Sequence, residues 1–196
     1  MSVSDCPKSI YMGIDPSLRN LGLCLLYSSN GQEQDVVTDC FGYSNKEFDL
    51  RGDRLQNIFI RIREHIEDYA KRYKHDHEKV YIVFEHFVMG GKGRICDLAE
   101  LAGYIKGHIH ALMLDDDSLK DLIEIVEIPP KTLKKYITGN GNSNKEAMKE
   151  AINHRYGKDF SNDNEADAYA LCKMLQELNE KTSVDTTDWL RKIASF

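Results

Sequence analysis

Three acidic residues stand where predicted strands or helices begin or end. Asp15 follows the apolar run SIYMGI, Glu85 follows the apolar run VYIVF, and Asp167 lies near the start of a late helix, beside its packed face. Strand ends in mixed α/β sheets are where polar groups emerge together into one site. Asp15 alone is equally well explained as a turn residue, but Glu85 abuts a buried strand and needs a partner or a cation. Together the three acids favour a cation site.

Carboxylate ligands without an accompanying set of Cys and His residues are typical of magnesium or manganese sites rather than zinc sites. Two such ions can activate a water molecule and stabilise the leaving oxygen when a phosphodiester is hydrolysed. The ions themselves supply positive charge, so this chemistry tolerates an acidic site. We therefore expect two Mg²⁺ ions, for which Mn²⁺ can substitute.

Hydrophobic periodicity predicts the elements that must position these acids. Five strands are expected over residues 9–14, 21–27, 35–41, 80–84 and 123–128, the first three joined by short polar turns as an antiparallel meander. Apolar residues at three- and four-residue spacing predict helices over residues 55–73, 95–114, 130–136, 144–154 and 165–178. On the second of these helices, Leu98, Leu101, Ala102, Ile105, Ile109 and Leu112 form the predicted apolar face.

This order of elements predicts an α/β fold, a mixed five-stranded sheet with an antiparallel meander and parallel strands, flanked by helices. We expect one domain over residues 1–180 and a tail over residues 181–196. In the tail, Trp189, Leu190 and Ile193 predict a short docking helix.

The composition, 41% hydrophobic and 30% charged, is typical of an ordinary globular protein. No apolar run approaches the roughly 20 residues of a membrane helix, and the first residues lack a secretory core. We expect a cytoplasmic protein. Five scattered cysteines without a CxxC pair disfavour a zinc site or a disulfide framework. Three of them are predicted to lie in the core: Cys24, Cys96 and Cys172.

The formal net charge of −6 argues mildly against a nucleic-acid partner, because phosphate contacts usually need a basic face. The charges are segregated, however, and only the local field at a contact surface decides binding. Acidic side chains concentrate over residues 115–127, including the run at 115–117. Lysines concentrate just after them, at Lys131, Lys134, Lys135, Lys145 and Lys149. The lysines form either a nucleic-acid surface or a solvated face.

Four segments resemble, in order, the motifs of the RuvC Holliday junction resolvases of the ribonuclease H-like superfamily. They are GIDPSLRNLG, VFEHF, PPKTLKKYITGNGNSNKEAM and NEADAYAL, and they span roughly residues 10–171. One such segment is a weak signal, whereas four in order on the expected elements are specific.

The resemblance implies a ligand set of Asp15, Glu85, Asp167 and Asn164. Asn164 is a departure, because the best-known family members have Asp at this position. An Asn can bind a cation through its carbonyl oxygen but brings no charge. Asp163, one residue earlier, is the rival ligand, although it is also a natural helix cap.

The resemblance also implies roles for lysines and for an aromatic residue. Lys145 falls on a family lysine that reaches the scissile phosphate, and Lys134 falls on a second that holds the DNA backbone together with Lys131. The family inserts an aromatic wedge into the junction from the loop after Glu85. By register this position is Val88, with Phe87 one residue earlier as wedge or core residue.

By this resemblance, the chain is expected to be a Mg²⁺-dependent endodeoxyribonuclease that resolves four-way junctions by paired nicks, in DNA recombination and repair. Paired nicks call for a homodimer, and Gly103 and Gly107 would permit close approach of two helices or serve packing within one chain. Flaps or replication forks are alternative substrates. The chain could instead be a non-catalytic junction-binding protein or a YqgF-like relative that acts on RNA.

Overall fold

The computed structural model describes residues 8–44, 46–47, 50–72, 79–86, 95–115 and 117–181. The predicted wedge at Phe87 or Val88 and the predicted docking helix of the tail lie outside these residues. The division between a domain and a tail at residue 181 stays a prediction.

The five predicted strands are present and form one mixed sheet. They are β1 (Ser9–Asp15), β2 (Leu21–Ser29), β3 (Gln32–Phe41), β4 (Lys79–Glu85) and β5 (Ile123–Ile128). The strand order is β3-β2-β1-β4-β5. The pairs β1–β2 and β2–β3 are antiparallel, whereas β1–β4 and β4–β5 are parallel. The predicted meander with added parallel strands is therefore confirmed.

The turn between β2 and β3 is tighter than its polar sequence predicts, and β3 begins at Gln32 rather than at residue 35. Asn30 and Gly31 both have positive φ, 53° and 72°. An Asn-Gly pair in this conformation makes a two-residue hairpin whose twist matches that of the flanking strands. The longer polar turn predicted over residues 28–34 is wrong for this reason.

The described residues form six helices. They are α1 (Arg51–Arg72), α2 (Ile95–Asp115), α3 (Asp117–Leu122), α4 (Pro130–Thr138), α5 (Lys145–Tyr156) and α6 (Asp163–Lys181). Helix α3 was not predicted, because its sequence DSLKDL has too few apolar residues for a periodic signal. The pair between Lys120 and Asp117, three residues apart, supports this single short helix.

Two hydrophobic layers cover the two faces of the sheet. One lies between the sheet and α1 and α2, and its members include Ile14, Leu23, Ile58 and Ile105. The other lies between the sheet and helices α4, α5 and α6, and its members include Leu26, Val83, Leu133, Ile152 and Leu171. Cys24 and Cys172 are buried in this second layer, as predicted.

The prediction that Cys96 lies in the core is wrong, because this residue is exposed. At 3.6 residues per turn, Cys96 lies opposite the buried stripe of α2 that contains Leu101 and Ile105. The prediction for Leu112 is also wrong, since 49% of its surface is exposed. The fully buried part of the stripe ends at Ile109, so the last turns of α2 extend beyond the core.

Across the described residues, no helix has both the length and the apolar composition that crossing a membrane would require.

Helix α6 packs closely against the sheet where glycines face it on two strands. A Cβ at Gly13 of β1 would lie 2.1 Å from the backbone oxygen of Ala168. A Cβ at Gly22 of β2 would lie 2.0 Å from the backbone oxygen of Asn164. Backbone cannot yield as a flexible side chain can, so both positions require glycine at this spacing.

Gly13→Ala should therefore lower the free energy of unfolding by about 1–3 kcal/mol, the usual cost of overpacking a core. Urea denaturation measures this change. Gly52→Ala on α1 is the matched control, because a Cβ there meets nothing within 4 Å. The control should leave stability unchanged or raise it by up to about 1 kcal/mol. Equal stability of Gly13→Ala and wild type would contradict the close-approach argument.

Candidate active site

Two of the predicted acids meet at the carboxyl ends of parallel strands. Ile14 pairs with Phe84 in the β1–β4 register, so Asp15 and Glu85 are the next residues on neighbouring strands. Their carboxyl groups lie close enough for each to influence the pKa of the other. The sheet topology alone therefore brings together residues that are 70 positions apart in the chain.

The third acid comes from the helix that packs on this part of the sheet. Asp167 lies in the second turn of α6, next to Ala168, whose carbonyl group faces Gly13. The charge of Asp167 acts on both Asp15 and Glu85. The structure thus brings together three of the four residues in the predicted ligand set.

Burial raises the pKa of every member of this carboxylate group, and repulsion within the group adds to the effect at Asp15 and Glu85. Burial raises the pKa of Asp15 well above its usual value, and repulsion from Glu85 and Asp167 adds to the effect. Burial, followed by repulsion from Asp167, raises the pKa of Glu85 to about 7. Burial also raises the pKa of Asp167. The positive charges near these carboxylates therefore do not fully compensate for the burial of their negative charges.

The donor set fits a divalent cation. Carboxylate oxygens are the ligands that Mg²⁺ and Mn²⁺ prefer, and a cation between them would relieve the repulsion that raises their pKa values. In the ranges that the structure describes, no group of three or more His, Cys, Asp or Glu side chains already has metal-binding geometry.

Two lysines face the carboxylate group from the neighbouring helices. Lys134 on α4 and Lys145 at the start of α5 both act to lower the pKa values of Glu85 and Asp167. Asn144 caps α5 by accepting a hydrogen bond from the amide of Ala147, which fixes the helix start that carries Lys145. Lys131 lies exposed on α4, three residues before Lys134.

The two candidates for the fourth ligand have other partners. The side-chain Nδ2 of Asn164 donates to the backbone oxygen of Asn20, which leaves only its Oδ1 available to a cation. The carboxylate of Asp163 accepts from Lys145 and Lys149, each at 3.3 Å. Whether either binds an ion stays a prediction.

A group beside Glu85 was not predicted from the sequence. The backbone amide of His86 donates a hydrogen bond to the backbone oxygen of Ile128 at 2.9 Å. The imidazole Nδ1 of His86 lies 2.5 Å from Oε2 of Glu127. Lys106 of α2 pairs with the other oxygen of Glu127. This group fixes the residue that follows Glu85. Glu127 lies near the end of β5, just as Asp15 and Glu85 lie at the ends of β1 and β4. An acidic residue at a strand end was the available signal, but Glu127 is one of many acidic residues between positions 115 and 127 and was not singled out.

The comparisons with known proteins agree on one kind of protein. The chain is 32% identical over 163 residues to the crossover junction endodeoxyribonuclease RuvC of Brachyspira hyodysenteriae, and the match covers 83% of this chain and 90% of that protein. No protein-family model matches.

Two solved structures share the fold. Thermus thermophilus RuvC in complex with a Holliday junction substrate matches with a TM-score of 0.61 and 18% identity, over 88% of this chain and 95% of that one. The yeast mitochondrial Holliday junction resolvase matches with a TM-score of 0.57 and 15% identity, over 91% and 86%. The predicted mixed-sheet architecture is confirmed by these similarities.

The raised pKa values predict that the metal-free protein loses stability as the pH rises. An acid with a raised pKa in the folded state contributes stability below its unfolded pKa, and this contribution is lost as the pH passes the folded value. For Glu85 the window runs from 4.5 to about 7. In EDTA, urea denaturation should show the free energy of unfolding falling by more than about 1 kcal/mol between about pH 5 and about pH 8.

Glu85→Gln should flatten this pH dependence, because it removes a titrating carboxyl group whose pKa is raised by burial and by repulsion. Glu146→Gln, which removes an exposed carboxylate from α5, is the control and should retain the wild-type slope. At about pH 8, saturating Mg²⁺ should raise the free energy of unfolding more for the wild-type protein than for Glu85→Gln. An identical slope for wild type and Glu85→Gln would contradict the raised pKa of Glu85.

Proposed function

The chain belongs to the RuvC family of crossover junction endodeoxyribonucleases, and on this premise we propose that it resolves four-way DNA junctions by paired nicks. The family inferred from the four sequence motifs is thereby confirmed, and with it the class of hydrolase. We also propose a role in recombination and repair, in the cytoplasm of a bacterial cell or phage-infected host.

The observation that carries this proposal is the partly buried group of Asp15, Glu85 and Asp167, whose pKa values are all raised. We infer that these carboxylates hold two Mg²⁺ ions, for which Mn²⁺ can substitute, and that Asn164 assists through its Oδ1. Bound ions would supply an activated water molecule and charge stabilisation for the leaving oxygen. The protein's own contribution is a rigid anionic ligand set, placed by two strand ends and one helix.

The basic side chains around the carboxylates fit a phosphate backbone. Lys145 acts on all three acids while its side chain remains 58% exposed, so we infer that it reaches the scissile phosphate as a point charge. Lys134 and Lys131 would hold the neighbouring backbone. The wedge at Phe87 or Val88 stays a proposal from the family resemblance.

This function predicts Mg²⁺-dependent nicking of four-way junctions that Asp15→Asn and Glu85→Gln each reduce by at least about a hundredfold, because each removes a metal ligand. Junction binding, measured by gel shift in Ca²⁺, should be retained by both variants. The control Glu146→Gln should nick at the wild-type rate. Normal cleavage by both site variants would contradict the proposed function.

The same assay separates the alternative substrates and functions. Four-way junction, flap, fork, linear duplex and structured RNA are compared at equal concentration, and the junction should be nicked fastest. Faster cleavage of a flap or of RNA would assign a different substrate. The uncharged Asn164, bound to the backbone of Asn20, favours a junction-binding protein without activity as the second candidate. Tight binding without cleavage in either Mg²⁺ or Mn²⁺ would support that candidate.

We propose that two copies of the chain associate through α2. A Cβ at Gly103 or Gly107 would meet nothing within 4 Å, so these glycines serve no close packing with the described residues of their own chain. Both are exposed, and Leu114 on the same helix face is 73% exposed. Glycine in a helix interior costs about 1 kcal/mol relative to alanine, so a contact outside the monomer would account for two of them.

The double variant Gly103→Gln, Gly107→Gln should convert a dimer to a monomer in sedimentation experiments, because the larger side chains keep the two helices apart. The stability of each monomer should not fall, since both side chains enter open space. Gly52→Gln on α1 is the matched control and should remain dimeric. A wild-type chain that sediments as a monomer even with junction DNA would exclude the dimer.

A further inference from the structure

Asp163, the first residue of α6, binds two lysines of α5 at once. Its Oδ2 lies 3.3 Å from Nζ of Lys145, and its Oδ1 lies 3.3 Å from Nζ of Lys149. The two lysines are four residues apart and therefore share one face of their helix. Both oxygens of this carboxylate thus have a cationic partner on the neighbouring helix.

The same ammonium group of Lys145 also faces the active-site acids. It acts to lower the pKa values of Asp15, Glu85 and Asp167. Asp163 and Asp167 lie four residues apart on α6, so they occupy adjacent turns of one helix face. Lys145 is therefore held between Asp163 on one side and the carboxylate group on the other.

A lysine in this position needs a restraint. Its side chain is 58% exposed, and a flexible four-carbon stem carries its charge. Without an anionic partner outside the metal site, the ammonium group would either pair with a metal ligand or move into solvent. Asp163 supplies that partner without belonging to the group of three carboxylates.

We propose that Asp163 is a positioning residue that holds Lys145 beside the scissile phosphate, and that it is not the fourth metal ligand. This inference rests on the proposed nuclease function. It separates the two neighbouring residues at the start of α6: Asp163 acts on the lysine, and Asn164 alone is left to assist the ions.

The test is a double-mutant cycle on the single-turnover rate of junction nicking. Lys145→Met should reduce the rate about a hundredfold, as expected when a charge that stabilises the transition state is removed. Asp163→Asn should reduce it about two- to fivefold, because an exposed ion pair restrains its partners only modestly. The double variant should be no slower than Lys145→Met, since Asp163 has nothing left to position. Asp159→Asn, which removes an exposed carboxylate four residues earlier, is the charge control and should match wild type.

Metal affinity provides a second readout that does not need activity. Mn²⁺ binding to the free protein, measured by electron paramagnetic resonance, should be similar for wild type, Asp163→Asn and Asp159→Asn. Loss of a direct ligand should instead weaken Mn²⁺ binding by at least about tenfold, since loss of an outer-shell partner already costs that much.

The outcomes are distinguishable. Multiplicative losses in the double variant, or weakened Mn²⁺ binding by Asp163→Asn, would overturn the role given to Asp163 while wild-type cleavage stays intact. Absence of cleavage by the wild-type protein would overturn the proposed function itself, and the positioning role would fall with it.

Discussion

Three partly buried carboxylates lie together at one edge of the sheet, and their burial and repulsion set the electrostatics of the whole site. Burial is the largest cause of the raised pKa values of Asp15, Glu85 and Asp167. The positive charges of Lys134 and Lys145 lower these pKa values only in part. A divalent cation is the partner that such a group lacks. We therefore expect the affinity for metal and the loss of stability of the metal-free protein at high pH to have the same origin.

Backbone geometry maintains this unfavourable arrangement. The parallel register of β1 and β4 places Asp15 and Glu85 side by side, and a well-paired sheet core does not allow either strand to withdraw. Gly13 and Gly22 let α6 approach the sheet closely enough to add Asp167. Packing of α6 in the second hydrophobic layer offsets the free-energy cost of placing three carboxylates together. Enzymes commonly accept such a local loss of stability at the active site.

Much of the fold and the core of the site could be predicted from sequence, because their signals are local. Apolar runs marked the strands that end at Asp15 and Glu85, and helical periodicity placed Asp167 near a helix start. Other features depend on how distant elements pack. The pairing of Asp163 with lysines of α5 and the group around Glu127 follow from how distant elements pack, which no spacing in the chain encodes. The exposure of Cys96, in contrast, agrees with helical spacing, which places it opposite the buried Leu101 and Ile105. Helix α3 was missed because it is short and polar.

The most direct measurement is diffraction from crystals soaked in Mn²⁺, recorded at a wavelength where manganese scatters anomalously. We expect anomalous peaks within bonding distance, about 2.0–2.4 Å, of oxygens from Asp15, Glu85 and Asp167, with Asp163 still bound to Lys145. Manganese coordinated by Asp163, or no manganese between the three carboxylates at saturating concentration, would contradict it.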